Sequence, residues 1–271
     1  SNYRIKSKEL TFPENIDFRG GFGEVKKAKW RGIDVATKVI TRDQDYKGKN
    51  KQELFEQEVS MNYNLRHPNI VQFLGVVMKS KTMVMEYMNG GTLRELLNQI
   101  NILNSFKENP MFPVKIAMDI ALPLLYLHKS SILHRDLTSS NVLIQTPLDL
   151  KHSNSMDIRH CKFKISDFGV SKVKNGSSTP RVGNISHMAP EVYQSKPYTE
   201  ASDVFSYGMI LWELITTKIH CNETQDKLLQ LELSPLATPK WKKLIVHCLE
   251  ESPDERPTVE EILVQLKNIK N

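Results

Sequence analysis

At 271 residues the chain is long enough to bury a sizeable core and to make a two-part enzyme domain. Its 39% hydrophobic and 25% charged residues are those of an ordinary globular protein, and no apolar run approaches membrane-spanning length. The net charge of +6 suits polyanionic ligands, but no aromatic-interleaved basic patch accompanies it, so neither nucleic acid nor membrane is expected as a partner. There is no charged-then-apolar N-terminal signal. Cys161, Cys221 and Cys248 are odd in number and scattered, which argues against a disulfide framework and for a reducing, cytoplasmic setting.

The first ~85 residues read as strands with one helix. Glu24–Lys29 and Asp34–Ile40 are β-prone runs joined around Arg31-Gly32, a hairpin turn. Lys51–Arg66 predicts a helix with Leu54, Glu58, Met61 and Leu65 on one stripe. An acid on an apolar stripe is costly unless paired, so Glu58 demands a buried cationic partner. His67-Pro68-Asn69 ends this helix, and strands follow near Ile70–Val77 and Thr82–Glu86. Asn89-Gly90-Gly91 punctuates the chain, and helical patterns dominate after it. Pro113–Lys129 is apolar with helical period, and Pro123 inside it should kink it. Gln145–His160 and Lys172–Arg181 are polar and read as surface loops. Asp203–Thr216 is apolar nearly all round, as a helix buried in the middle of a lobe would be. Pro257 precedes Thr258-Val259-Glu260-Glu261, a capping box for a last helix to about Ile269.

Several short motifs carry chemistry. In Arg19-Gly20-Gly21-Phe22-Gly23-Glu24-Val25 the small residues let backbone amides approach phosphates, although a lone Gly-rich turn is more often just a hairpin. Val35-Ala36-Thr37-Lys38 follows, a strand with a Lys placed before the Glu58 helix. In His134-Arg135-Asp136-Leu137-Thr138-Ser139-Ser140-Asn141 a carboxylate and an amide share one short loop, which can point both at one phosphate. Asp167-Phe168-Gly169, Ala189-Pro190-Glu191, Ser202 to Gly208 and Pro253 to Pro257 complete the series. Covering residues 17 to 257 in this order, the set resembles the catalytic domain of eukaryotic protein kinases.

The resemblance implies an α+β, bilobal fold: an N-terminal antiparallel five-stranded sheet with helix C, a hinge, and a mostly helical C-terminal lobe. Its bounds would be about 3–87 for the first lobe, about 86–91 for the hinge and about 90–270 for the second. It implies ATP and Mg²⁺ as cofactors, with Mn²⁺ as a substitute, and a protein as substrate. Lys38 would hold the α- and β-phosphates with Glu58 as its partner, under a lid formed by Arg19, Gly20, Gly21, Phe22, Gly23 and Val25. Met85 would be the gatekeeper, Glu86 and Met88 would meet the purine edge through their backbones, and Ala36 and Leu143 would sandwich the ring. Asp136 would be the catalytic base, and Asn141 and Asp167 the metal ligands. His134 would be a packed structural residue, Arg256 the buried partner of Glu191, and Asp203 the helical acid that steadies the catalytic loop.

Leu65-Arg66-His67-Pro68-Asn69-Ile70-Val71, Met188-Ala189-Pro190-Glu191 and the run Ser206 to Glu213 resemble the tyrosine-kinase-like group, most of which acts on Ser and Thr. The chain departs from the family pattern at several points. Aligned on Gly20, Gly23 and Val25, the first Gly position holds Phe18 and the aliphatic position before it holds Asp17. Thr138 stands where Ser/Thr kinases carry Lys, and Asn184 where they carry a Thr that touches it, so the two read as an exchanged pair. Loss of the Lys charge implies a rate penalty of about one to two orders of magnitude. Asn62 occupies a position usually aliphatic, which would weaken the coupling of helix C to Phe168. The interval between His134 and Asp167 is longer than the family's, so Pro147–His160 reads as an inserted hairpin loop. His152, His160 and Cys161 in or beside it lack a fourth ligand and read as solvated loop residues, not a metal site.

The expected function is therefore an ATP- and Mg-dependent Ser/Thr protein kinase. Arg135 points to regulation by activation-loop phosphorylation, with Ser171, Ser177, Ser178, Thr179 and Ser186 as candidate acceptors. A regulatory domain or partner beyond this chain is also expected. The alternatives are a weakly active or inactive pseudokinase scaffold and a dual-specificity or Tyr-directed kinase.

Overall fold

In the computed structural model the described residues are 3–13, 17–20, 23–39, 51–148, 161–168, 172–173, 185–218 and 230–270. They fall into two compact units, Ser1–Met88 and Asn89–Asn271. Chain order in the first is β1 (Leu10–Thr11), β2 (Asp17–Gly20), β3 (Gly23–Trp30), β4 (Ile33–Val39), α1 (Lys51–Asn64), β5 (Phe73–Val77) and β6 (Thr82–Glu86).

The hairpin expected around Arg31-Gly32 forms, with Trp30 opposite Ile33. Both turn residues have positive φ, 51° for Arg31 and 86° for Gly32, the pair of angles that matches a two-residue turn to the right-handed twist of its strands. The sheet order is β1-β3-β4-β6-β5, with β2 also on β3. β1 pairs with Trp30 and Lys29, and β2 with Lys26 down to Gly23. The two therefore share one edge of β3, and six strands fill the five antiparallel rows expected from sequence. One apolar cluster gathers Phe55 and Val59 of α1 with Phe73, Val76 and Met83 of the sheet. A second gathers Ile5, Ala28, Val35, Val77 and Val84. Apart from Ala28, each such side chain taken out of water contributes about 1.5–3 kcal/mol.

Helix α1 ends at Asn64, two residues short of the predicted Arg66. The residue before a proline is disfavoured in helical conformation, and His67 instead accepts the Asn69 N–H on Nδ1 at 3.0 Å. The buried stripe of α1 is Phe55, Glu58, Val59 and Asn62, while Met61 is half-buried. The face is centred one residue away from the predicted line through Met61; the Leu54 side chain lies outside the described residues.

The second unit is mostly helical, as expected. Its named elements are α2 (Leu93–Leu97), α3 (Ile102–Glu108), α4 (Met111–Lys129), β7 (Ile132–Leu133), β8 (Val142–Ile144), β9 (Phe163–Ile165), β10 (Lys172–Val173), α5 (Pro190–Tyr193), α6 (Glu200–Thr216), α7 (Pro239–Cys248) and α8 (Val259–Lys270). Contrary to the reading of the bare sequence, α4 is long and apolar enough by length and composition to cross a membrane. It is instead a core helix here, burying Phe112, Ile116, Ile120, Leu124 and Leu127 and packing on α8 and α6. The helix continues through Pro123. Helix α6 buries every residue from Ser202 to Thr216, and Tyr207 donates from its hydroxyl to the Ala117 carbonyl of α4 at 2.9 Å. The capping box of α8 closes as predicted: Thr258 N–H donates to Glu261 Oε2 at 2.7 Å, and Glu261 N–H to Thr258 Oγ1 at 3.3 Å. Strands β8 and β9 pair antiparallel, Val142 opposite Ile165, giving the arms of the expected hairpin. Residues 149–160 of its loop, with His152 and His160, lie outside the described residues.

Arg256 and Glu191 form a buried bidentate pair, Nη1 to Oε1 and Nη2 to Oε2 both at 2.8 Å. The remaining guanidinium hydrogens go to the carbonyls of Glu250, Ala201 and Glu251. Burial pushes the Glu191 carboxyl up, but Arg256 and the Ser202 hydroxyl outweigh it and hold the group below the usual carboxylate range. A depressed folded value means the contribution is full above the unfolded value, about 4.3, and fades as pH falls through the folded one. Arg256→Met should therefore lower stability by about 3–5 kcal/mol in urea unfolding at neutral pH. The difference from the parent chain should shrink once the pH drops below about 4.

Candidate active site

In the first unit the strand register assembles one face. Residues directly opposite in an antiparallel pair share a face, and so do residues two apart on one strand. Lys38 is opposite Val25 on β3 and Met83 on β6, and Ala36 is opposite Met85. Val25, Ala36, Lys38 and Met85 thus line up together. Lys38 Nζ meets Glu58 Oε1 of α1 at 2.9 Å, with the two residues only 5% and 9% exposed. The acid on the apolar stripe has the cation it required. Asn62 donates from Nδ2 to the Glu58 carbonyl at 2.9 Å. Its amide is therefore accommodated within α1, an outcome that the identity of the residue did not foretell.

The Gly-rich stretch keeps Arg19 and Gly20 on β2 and Gly23 on β3, with Gly20 opposite Gly23 and Phe18 opposite Val25. Gly21 and Phe22, at the tip, lie outside the described residues. At the end of β6, Glu86 exchanges hydrogen bonds with Gln72: its N–H donates to the Gln72 carbonyl at 2.9 Å, and Gln72 N–H donates to Glu86 Oε1 at 2.7 Å. Met85 is half-buried and Met88 buried.

In the second unit, Asn89 and Gly90 donate their N–H groups to the carbonyls of Gln145 and Ile144 at 3.2 and 2.9 Å, and Ile144 N–H donates to Gly91 at 2.9 Å. These bonds hold β8, and with it Leu143, against the start of the unit. Just before β8, Asn141 Nδ2 donates to both the backbone carbonyl of Asp136 (2.8 Å) and its carboxylate Oδ2 (2.9 Å). Ser166 N–H donates to the Asn141 carbonyl at 2.9 Å, so the chain entering Asp167 is tied to the residue facing Asp136. Asp167 itself has φ 65°, a left-handed conformation that a non-glycine residue keeps only when its surroundings impose it. Asp136 and Asn141 are thereby in contact, and Asp167 follows directly on the residue bonded to Asn141. Phe168 packs on His134 with ring centroids 5.1 Å apart, and His134 is fully buried with Nε2 at 3.1 Å from the Ser166 carbonyl. The histidine is packed, as expected.

The loop is fixed from below by Asp203 of α6. Its Oδ2 accepts from the His134 N–H at 3.0 Å, and its Oδ1 from the Arg135 N–H at 3.0 Å. His128 Nε2 lies 2.9 Å from Oδ2, and the Tyr198 hydroxyl donates to Oδ1 at 2.7 Å. Burial pushes the Asp203 carboxyl up, but the His128 contact, the nearby His134 and the tyrosine hydroxyl hold it below its ordinary value. Burial together with the facing Asp203 raises the Tyr198 phenol well above its own.

The donor set suits a hard divalent cation. An amide whose nitrogen is engaged presents its oxygen, and Asn141 with Asp167 offers the all-oxygen chemistry that Mg²⁺ prefers. Among the described residues no group of three or more His, Cys, Asp or Glu is placed to hold a metal, and Cys161 is buried against the Thr146 carbonyl. Thr138 is buried, whereas Asn184, Gly169, Ser171, Ser177, Ser178 and Thr179 lie outside the described residues. Sequence reading missed His128, Tyr198, Ser166 and Ser202 as supports of the site. No local signal marks His128, Tyr198 or Ser166, because each acts on a partner brought to it by the fold.

The family model described as protein tyrosine and serine/threonine kinase matches residues 11–266. Dual specificity protein kinase splA of Dictyostelium discoideum is 39% identical over 293 aligned residues, covering 100% of this chain and 12% of that protein. Seven transmembrane domain-containing tyrosine-protein kinase 1 of the same organism is 35% identical, covering 97% of this chain and 39% of that protein. Serine/threonine-protein kinase STY46 of Arabidopsis thaliana is 33% identical, covering 98% of this chain and 45% of its own length. The chain thus spans less than half the length of each of these relatives.

The Lys38–Glu58 pair should show its burial in a double-mutant cycle. Lys38→Met alone should cost about 3–5 kcal/mol in chemical unfolding, because it strips a buried carboxylate of its counter-charge. Adding Glu58→Leu should restore part of that loss, with a coupling energy above about 1 kcal/mol.

Proposed function

This chain belongs to the protein tyrosine and serine/threonine kinase family, and we propose that it transfers the γ-phosphate of ATP, with Mg²⁺, to Ser and Thr hydroxyls of proteins. The observation that best supports transfer over a silent scaffold is the Asn141–Asp136 contact. It engages Asp136 Oδ2 at 2.9 Å and so orients the carboxylate. In this reading the substrate hydroxyl attacks the γ-phosphorus, its proton passes to Asp136, and ADP leaves. Lys38, held by Glu58, binds the α- and β-phosphates. The backbone from Arg19 through Gly20, Gly21, Phe22 and Gly23 covers them, Val25, Ala36 and Leu143 enclose the purine beside the gatekeeper Met85, and the backbones of Glu86 and Met88 meet its edge. Asn141 and Asp167 are the assigned ligands of Mg²⁺, or of Mn²⁺ in its place. The bound ion supplies charge neutralisation across the phosphates.

Protein is the substrate class, and Ser/Thr preference follows from the likeness to the tyrosine-kinase-like pattern. Dual specificity is the second reading, favoured by the likeness to dual specificity protein kinase splA, which aligns over the whole chain. We also propose regulation by phosphorylation at Ser177, Ser178 or Thr179. Ser186, which among these candidates lies within the described residues, already has its Oγ 2.9 Å from His187 Nδ1. A regulatory domain or partner outside this chain fits the greater length of its relatives. A reducing, cytoplasmic setting fits the free thiols of Cys161 and Cys248, both buried and both raised by that burial above the usual thiol range.

Transfer of γ-³²P from ATP to a generic basic protein tests the assignment. Asp136→Asn should lose about 10²–10⁴-fold in kcat, and equal incorporation by Asp136→Asn, Lys38→Met and the parent would sink the enzyme reading. Phosphoamino-acid analysis should yield phosphoserine and phosphothreonine; phosphotyrosine beside them selects dual specificity. Thr138→Lys should raise kcat by about ten- to a hundredfold, because it restores a positive charge to the transferring group. An unchanged kcat would refute this account of Thr138.

A further inference from the structure

The segment Tyr3–Ile5 takes no part in the chemistry assigned above, yet it is built into the first unit through both backbone and side chains. Val76 N–H donates to the Tyr3 carbonyl at 2.8 Å and Ile5 N–H to the Val76 carbonyl at 2.9 Å, with Arg4 bridged in parallel to Val76. Ile5 enters one apolar cluster, with Ala28, Val35, Val77 and Val84. Tyr3 packs against the other, that of Phe55, Val59, Phe73, Val76 and Met83. Its ring lies 4.9 Å from that of Tyr63 on α1 and 6.2 Å from that of Phe73 on β5. Gly75 makes the seat: a Cβ there would stand 2.6 Å from the Tyr3 carbonyl oxygen and 2.7 Å from Ile5 Cδ1.

The helix that Tyr3 touches is the one that carries Glu58. Phe55 and Val59 bracket Glu58 on the same face, and Met83 in the same cluster is opposite Lys38 on the neighbouring strand. Rotating α1 about its axis or sliding it along the sheet would separate Glu58 from Lys38 and would also have to displace the Tyr3 ring. We propose that Tyr3 is a positioning residue for phosphoryl transfer: wedged between Tyr63 and Phe73, it holds α1 in the rotation that keeps Glu58 on Lys38. The proposal rests on the assignment of Lys38 to the nucleotide phosphates. Correct placement of a phosphate-holding group is the kind of contribution lost when a support some distance from the chemistry is removed.

The test uses the whole chain and three variants: Tyr3→Ala, Tyr3→Phe and Gly75→Val. kcat and KM for ATP are measured together with thermal stability and hydrogen exchange of α1 in the absence of nucleotide. Tyr3→Ala and Gly75→Val should lower kcat by about ten- to a hundredfold, with α1 amides exchanging faster than those of the β3–β4 hairpin. Tyr3→Phe, which keeps the ring, should stay within about twofold of the parent. A Tyr3→Ala kcat within about twofold of the parent overturns the proposal, and so does faster exchange spread evenly over the unit, which marks a merely stabilising residue. If Gly75→Val fails to fold, Tyr3→Ala decides alone. If the parent itself transfers no phosphate, the functional reading fails, while the exchange comparison still decides whether Tyr3 positions α1.

Discussion

The carboxylate of Asp203 is closed off from water and takes four groups at once: two loop amides, the His128 imidazole and the Tyr198 hydroxyl. A buried carboxylate is tolerated only when its lone pairs are filled, and here they are. It lies in the first turn of α6, where the helix dipole also favours negative charge. The loop that it holds includes Arg135 at φ 71°, a left-handed conformation costing about 1–3 kcal/mol in a non-glycine residue. The bond from the Arg135 amide to Oδ1 offsets that cost, and Asp136 leaves the loop aimed at Asn141. The whole loop geometry depends on one acid in a distant helix.

The same turn of α6 serves a second node. Ser202, the residue before Asp203, donates to Glu191 at 2.7 Å, and the Ala201 carbonyl accepts from Arg256 at 2.9 Å. A short run of helix thus joins the support of the His134–Asn141 loop to the Arg256–Glu191 pair behind the Ala189-Pro190-Glu191 motif. Buried ion pairs stabilise little in themselves, since desolvation cancels most of their attraction. Their effect is directional. Each of the five guanidinium hydrogens of Arg256 has an acceptor, so any other arrangement of these segments would leave a buried charge without partners. The Lys38–Glu58 pair applies the same constraint in the first unit, where it ties α1 to β4.

Much of this was legible from residues alone, and for local reasons. The Arg31-Gly32 turn, the Thr258–Glu261 capping box and the strand Thr82–Glu86 are short-range events decided by neighbours in sequence. Glu58 was legible in a different way: an acid on an apolar stripe announces a cation, and the motif around Lys38 supplied one. The exact face of α1 was not. A stripe through Leu54 and Met61 and one through Phe55 and Val59 both contain Glu58, and helical period alone does not choose between them. The sheet chose, because Phe55 and Val59 are the side chains that reach Phe73, Val76 and Met83. The broken edge row of β1 and β2 was equally hidden, since pairing to β3 is decided by register across the sheet.

What the sequence determined by itself is the order of the candidate site residues: a Gly-rich turn, Lys38, Glu58, Asp136, Asn141 and Asp167, on an α+β frame whose elements follow from hydrophobic period and turn residues. Those signals are local, so they survive without knowledge of the fold. What only the tertiary structure decided is which groups touch these residues and their supports. His128 and Tyr198 meet on Asp203, Ser166 ties Asp167 to Asn141, Ser202 steadies Glu191, and Tyr3 reaches α1 over the gap left by Gly75. Each of these contacts joins residues whose separation along the chain carries no pattern. Buried polar groups must find partners wherever the packed chain brings them, and only the packing says where that is.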